Sequence, residues 1–130
     1  MKGYGEKSKS KKKNNQKLQL TKEQIIIQAF KFHAQGNISE AAKYYQFFID
    51  EGFKNHKVFL NHGVILKSLG KLKEAELSFR RAIELNPKLA EGHSNLGIIL
   101  KDVGNLKEAE LSFRKAIKIK PDYALAYSNA

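Results

Sequence analysis

The chain of 130 residues contains no cysteine, which excludes disulfide cross-links and thiolate metal sites and fits a reducing compartment. Long apolar runs are missing too. Stretches such as residues 24–32 give way to polar side chains within a few positions, so no segment offers the roughly 20 apolar residues of a membrane-spanning helix. The N-terminus is charged but lacks the apolar core and small-residue cleavage site of a secretory signal, and the chain is read as cytoplasmic. Acidic residues are scarce: 13 stand against 24 lysines and arginines, for a net charge of +11. Catalytic constellations are also wanting. No nucleophile has a base partner at recognisable spacing, no glycine-rich loop follows a strand, and His33, His56, His62 and His93 are too widely spaced for a local ligand pair. These features point away from an enzyme, and no cofactor or metal is expected.

What the chain does have is an internal copy. Residues 61–87 recur almost intact 34 positions later as residues 95–121. Gly63, Leu66, Gly70, Ala75, Phe79, Ala82 and Pro87 return as Gly97, Leu100, Gly104, Ala109, Phe113, Ala116 and Pro121, and residues 72–80 return verbatim as 106–114. The same frame projected backwards lands on Gly36, Ala41 and Tyr45, a disguised first copy. Cap signals fall at the expected places. Thr21-Lys22-Glu23-Gln24 has the form of a capping box, and Asn37 and Asn105 each stand three residues before a glutamate, whereas Lys71 should cap poorly. Gly52 is placed to end a helix in the left-handed conformation, and Asn55 to cap the next. The periodicity predicts an all-α chain with helices at about 22–34, 38–51, 55–68, 72–85, 89–102, 106–119 and 123–130. Gly63 with Ala75, and Gly97 with Ala109, are expected where paired helices approach most closely.

A 34-residue unit with this punctuation resembles the tetratricopeptide repeat (TPR). The sequence departs from that family in two places: the large aromatic early in the first helix is present as Phe59 but replaced by His93, and the leucine kept at Leu96 is replaced by His62. The resemblance implies a helix-turn-helix solenoid over residues 21–130, with repeats at about 22–55, 56–89 and 90–123 and a truncated fourth at 124–130. Residues 1–20 form a basic tail whose composition predicts disorder. His62 and His93 are expected to fill core positions as hydrogen-bonded residues. In such a solenoid the first helix of each pair lines a concave groove. Three rows then follow: Asn61, Asn95 and Asn129; Val64 and Ile98, with Phe30 in the first repeat; and Lys67 and Lys101, with His33 in the first repeat. An asparagine amide matches the carbonyl and N–H of a peptide backbone without demanding a particular side chain.

The expected function is a non-catalytic module that holds an extended or helical peptide segment of another protein on Asn61, Val64, Lys67, Asn95, Ile98, Lys101 and Asn129. The phrasing at residues 94–97 and 127–129 resembles the TPR arms of O-linked N-acetylglucosamine transferases, whose asparagine ladders hold substrate polypeptide; Ile27 takes that place in the first repeat. The rival reading is therefore the recognition arm, or a truncated fragment, of a larger glycosyltransferase, sulfotransferase or methyltransferase. A clamp for the C-terminal tails of heat-shock chaperones is disfavoured, since Glu91 and Leu125 stand where lysine would be wanted. The tail, with seven lysines against one glutamate in residues 1–17, admits a solubilising role, weak phosphate-driven contact with nucleic acid, or contact with an anionic surface or acidic partner. An apolar face at the C-terminal end of the array would permit self-association.

Overall fold

The computed structural model describes residues 20–122; the basic tail below residue 20, the partial fourth repeat and Asn129 lie outside that range. Six helices follow one another among the described residues: α1 (Lys22–Ala34), α2 (Ile38–Asp50), α3 (His56–Ser68), α4 (Leu72–Leu85), α5 (Ala90–Asp102) and α6 (Leu106–Ile119). The fold is an all-α helical repeat, and each boundary falls within one residue of the expected position.

Local chemistry explains the boundaries. Thr21 Oγ1 accepts from the Gln24 amide at 3.1 Å while Gln24 Oε1 accepts from the Thr21 amide at 2.8 Å, a complete capping box. Asn37 Oδ1 accepts from the Glu40 amide at 3.4 Å, and Asn55 Oδ1 accepts from the amides of Lys57 and Val58 at 2.9 and 3.2 Å. Lys71 makes no side-chain cap. The expectation for Asn105 is corrected: its side chain caps no backbone amide and instead donates through Nδ2 to Glu108 Oε1 at 3.2 Å. The physical reason is the carboxylate, which Arg80 also holds at 2.7 Å and which draws the amide group of Asn105 towards it as a donor. At the inner turns, Gly36, Gly70 and Gly104 adopt φ of 78°, 78° and 88°, the left-handed region that side chains avoid. Paired bonds such as Lys71 N–H to Leu66 O and Gly70 N–H to Lys67 O close the preceding helix. Gly52 ends α2 in the same conformation, with φ of 83°.

Two compact units make up the chain, one ending at Glu51 and one beginning at Gly52. In the first, α1 and α2 form a packed hairpin that buries Ile25, Ala29, Ala41, Tyr45 and Phe48. Aromatic contacts knit it: Tyr45 lies 6.1 Å from Phe30 and 5.7 Å from His33 between ring centroids, and its hydroxyl is hydrogen-bonded to His33 Nδ1 at 2.8 Å. In the second unit, α3 packs on α4 and α5 on α6, while α5 also lies against α4 and touches α3. Its core is a column of apolar side chains including Val58, Ile65, Phe79, Ala82, Ile99 and Leu100, each at most 2% exposed. Burying a side chain such as Phe79 contributes about 1.5–3 kcal/mol.

Candidate functional site

The close approaches within each hairpin orient the helices. A Cβ added to Gly63 would stand 2.6 Å from Phe79 Cε1, and one added to Gly97 would stand 2.7 Å from Phe113 Cε1. The atoms facing these glycines are thus aromatic rings of the second helix. The expected partners, Ala75 and Ala109, are buried, but they are not what lies nearest to a Cβ at these positions. With the glycine edge turned onto the ring, α3 and α5 present other residues elsewhere on their circumference.

Asn61, Val64 and Lys67 follow at three-residue steps along α3, and Asn95, Ile98 and Lys101 do the same along α5, so each trio shares a helix face. Asn61, Val64, Lys67, Asn95 and Ile98 are half-buried and Lys101 is exposed. This is the mixed environment of a surface that is accessible yet held in place by packing. Because α3 touches α5, the two trios belong to neighbouring helices of one unit. Phe30 and His33, proposed to continue the rows, lie on α1 in the other unit, and Asn129 lies outside the described residues.

Two features were not foreseen from the sequence. Arg80 on α4 bonds Glu76 Oε2 through Nε at 3.0 Å and Glu108 Oε2 through Nη2 at 2.7 Å, linking one hairpin to the next. The Glu108 hydrogen bond raises the pKa of the guanidinium above its ordinary value, outweighing the opposing effect of partial burial. The second feature is a cleft of about 480 Å³ between α4, α5 and α6, lined by Ile83, His93, Leu96, Leu111, Ser112 and Lys115 with the Arg80–Glu108 pair beside them. The signal for it was in view, since His93 is the departure from the aromatic at Phe59. A further apolar hollow of about 350 Å³ is lined by Leu106, Ala109, Phe113 and Ile117, with Lys101 at its edge. Of the histidines placed in the core, both His62 and His93 are buried, and His93 Nε2 is bonded to the Pro87 carbonyl at 2.9 Å. Among the described residues no group of three histidine, cysteine or acidic side chains could hold a metal ion, and no helix is long and apolar enough to cross a membrane.

Helical hairpins recurring every 34 residues, with a small residue of the first helix seated on an aromatic ring of the second, define a helical-repeat protein. Residues 63–123 match models of the tetratricopeptide repeat: a family model described as TPR repeat matches residues 63–104, and one described as Tetratricopeptide repeat matches residues 90–123. No curated protein matches the chain in sequence. Among solved structures, the crystal structure of MamA is similar with a TM-score of 0.75 at 21% identity, covering 82% of this chain and 63% of that one. The TPR domain of Arabidopsis OM64 gives 0.70 at 19% identity, covering 77% and 83%. The first TPR of Spaghetti (RPAP3), solved with the HSP90 peptide SRMEEVD, gives 0.69 at 21% identity, covering 78% and 83%. At these identities the likeness establishes the fold.

Proposed function

We propose that the chain is a non-catalytic interaction module of a cytoplasmic protein, and that the face formed by Asn61, Val64 and Lys67 with Asn95, Ile98 and Lys101 holds a peptide segment of a partner. The observation that carries this reading is the repetition of one amide, one aliphatic and one cationic side chain on adjacent helices, at half-buried or exposed positions the hydrophobic core does not require. Amides can bond a peptide backbone in either direction, the aliphatic pair supplies apolar area, and the lysines favour segments with carboxylates. Neither lysine is in an ion pair among the described residues, so a ligand carboxylate would not have to displace one. The solved complex of the RPAP3 repeat with an acidic HSP90 peptide supports peptide capture as a use of this fold.

The test is selection of peptides on the full chain from a random displayed library, followed by titration of the selected peptides against Asn61→Ala/Asn95→Ala and Lys67→Ala/Lys101→Ala. The double asparagine variant should lose at least tenfold in affinity with any peptide selected on this face. The lysine variant should lose most with acidic sequences and less at high salt. Selected peptides that bind both variants as well as the parent chain would move the site elsewhere.

A further inference from the structure

The cleft beside His93 has an internal point of comparison. In the preceding hairpin the corresponding residue is Phe59, 6% exposed, and the guanidinium carbon of Arg81 sits 5.5 Å from the centre of its ring. Thirty-four residues on, those two places are taken by His93 and Lys115, and both line the cleft. Leu77 and Ser78 recur as Leu111 and Ser112, and where the preceding copy has His62 the cleft is lined by Leu96, which adds an apolar wall. The second copy thus has apolar walls and a cation at the place of the arginine over the ring, but a smaller, polar ring where the phenylalanine was.

The polarity of His93 narrows the ligand. A carbonyl oxygen can only accept, so the 2.9 Å contact with Pro87 places a proton on His93 Nε2 and leaves Nδ1 of the neutral ring as an acceptor. A matching ligand carries an apolar ring and a hydrogen-bond donor. An anion is disfavoured, because the carboxylates of Glu84 and Glu108 also line the cleft and Arg80 is already engaged by Glu76 and Glu108. A phenol fits both demands, and the chain already makes such a pair where the Tyr45 hydroxyl meets His33 Nδ1 at 2.8 Å. The volume of about 480 Å³ lies within the range of ligand sites and accommodates an aromatic side chain with part of its backbone.

We infer that this cleft is a receptor for a tyrosine side chain of a partner polypeptide, its hydroxyl donating to His93 Nδ1 and its ring packing on Ile83, Leu96 and Leu111 beside Lys115. The site differs from the face proposed above: on α5, Asn95 and His93 are two residues apart, a rotation of about 200° around the helix.

The experiment titrates the full chain, labelled with ¹⁵N-histidine, with N-acetyl-tyrosinamide, N-acetyl-phenylalaninamide and N-acetyl-leucinamide. The tyrosine amide should shift the His93 Nδ1 resonance and bind about fivefold more tightly than the phenylalanine amide, the equilibrium equivalent of about 1 kcal/mol for one hydrogen bond. The leucine amide should bind more weakly than either. His93→Phe, which restores the ring of the preceding repeat, should fold and lose at least tenfold in affinity for the tyrosine amide. Leu111→Lys, at a position 54% exposed, should also fold and lose binding. Equal binding of the three amides, undiminished binding by His93→Phe or Leu111→Lys, or no saturable response of His93 would each overturn the inference.

Discussion

Residues 72–80 and 106–114 are the same nine amino acids in the same kind of helix, yet their side chains live in different surroundings. Phe79 is completely buried and Phe113 is half-buried; Leu72 is half-buried and Leu106 is 64% exposed. Arg80 holds two carboxylates, one of them on the next hairpin, while its copy Arg114 holds Glu110 at 2.7 Å on a pair that is 71% and 62% exposed. The helix α5 packed against α4 accounts for the deeper environment of the first copy. In a repeat protein, each unit is therefore stabilised by an intrinsic part shared by all copies and by a neighbour part that identical sequences do not share.

Mutating both copies separates the two parts. The largest contrast is expected from the rings: Phe79→Ala should cost about 3–5 kcal/mol in urea unfolding, and Phe113→Ala roughly half of that, because less of its surface is withdrawn from water. Equal costs would mean that the hairpin alone sets the energy. Next come the glycines. Gly63→Ala drives a methyl to within 2.6 Å of a fully buried ring and should destabilise by about 1–3 kcal/mol, whereas the half-buried ring opposite Gly97 can yield. The helix-propensity gain of about 1 kcal/mol then brings Gly97→Ala close to neutral. Thermal melts of the two variants that coincide would refute this asymmetry.

Smaller contrasts follow at helix starts and on the surface. Asn55→Ala removes a side chain that caps two amides and should cost about 1 kcal/mol, while Asn105→Ala removes no cap and should cost a few tenths at most. The midpoint of chemical denaturation distinguishes them. Smallest is the ion pair: Arg80→Ala should cost about 0.5–1 kcal/mol and Arg114→Ala less than about 0.5, with the gap narrowing in 1 M salt. A gap that persists at high salt would assign the effect to packing of the arginine stem instead.

Most of the fold was legible along the chain, because its signals are local. Caps act over three residues, a left-handed glycine over one turn, and the period over 34 positions, so Thr21, Asn55 and Gly52 could be read in place. The side chain of Asn105 departs from its cap signal because it bonds the Glu108 carboxylate, which is also held by Arg80, 28 residues from Glu108 in sequence. The rows of Asn61 with Asn95, Val64 with Ile98 and Lys67 with Lys101 follow from the 34-residue spacing, and three-residue steps put each trio on one face of α3 or α5. The cleft is not legible in this way, although the exchange of Phe59 for His93 is visible in the sequence. A smaller ring leaves a space only if the surrounding walls stay where they were, and that is a property of packing between three helices.

The amino-acid sequence by itself determined that the chain is helical, where each helix begins and ends, and that its units repeat, because these depend on backbone conformation and short-range hydrogen bonds. Tertiary structure alone decided which of two identical phenylalanines is fully buried, which of two identical arginines joins neighbouring hairpins, and where a cleft opens. Those outcomes depend on what is stacked beside each helix, and identical segments with different neighbours bury different surfaces.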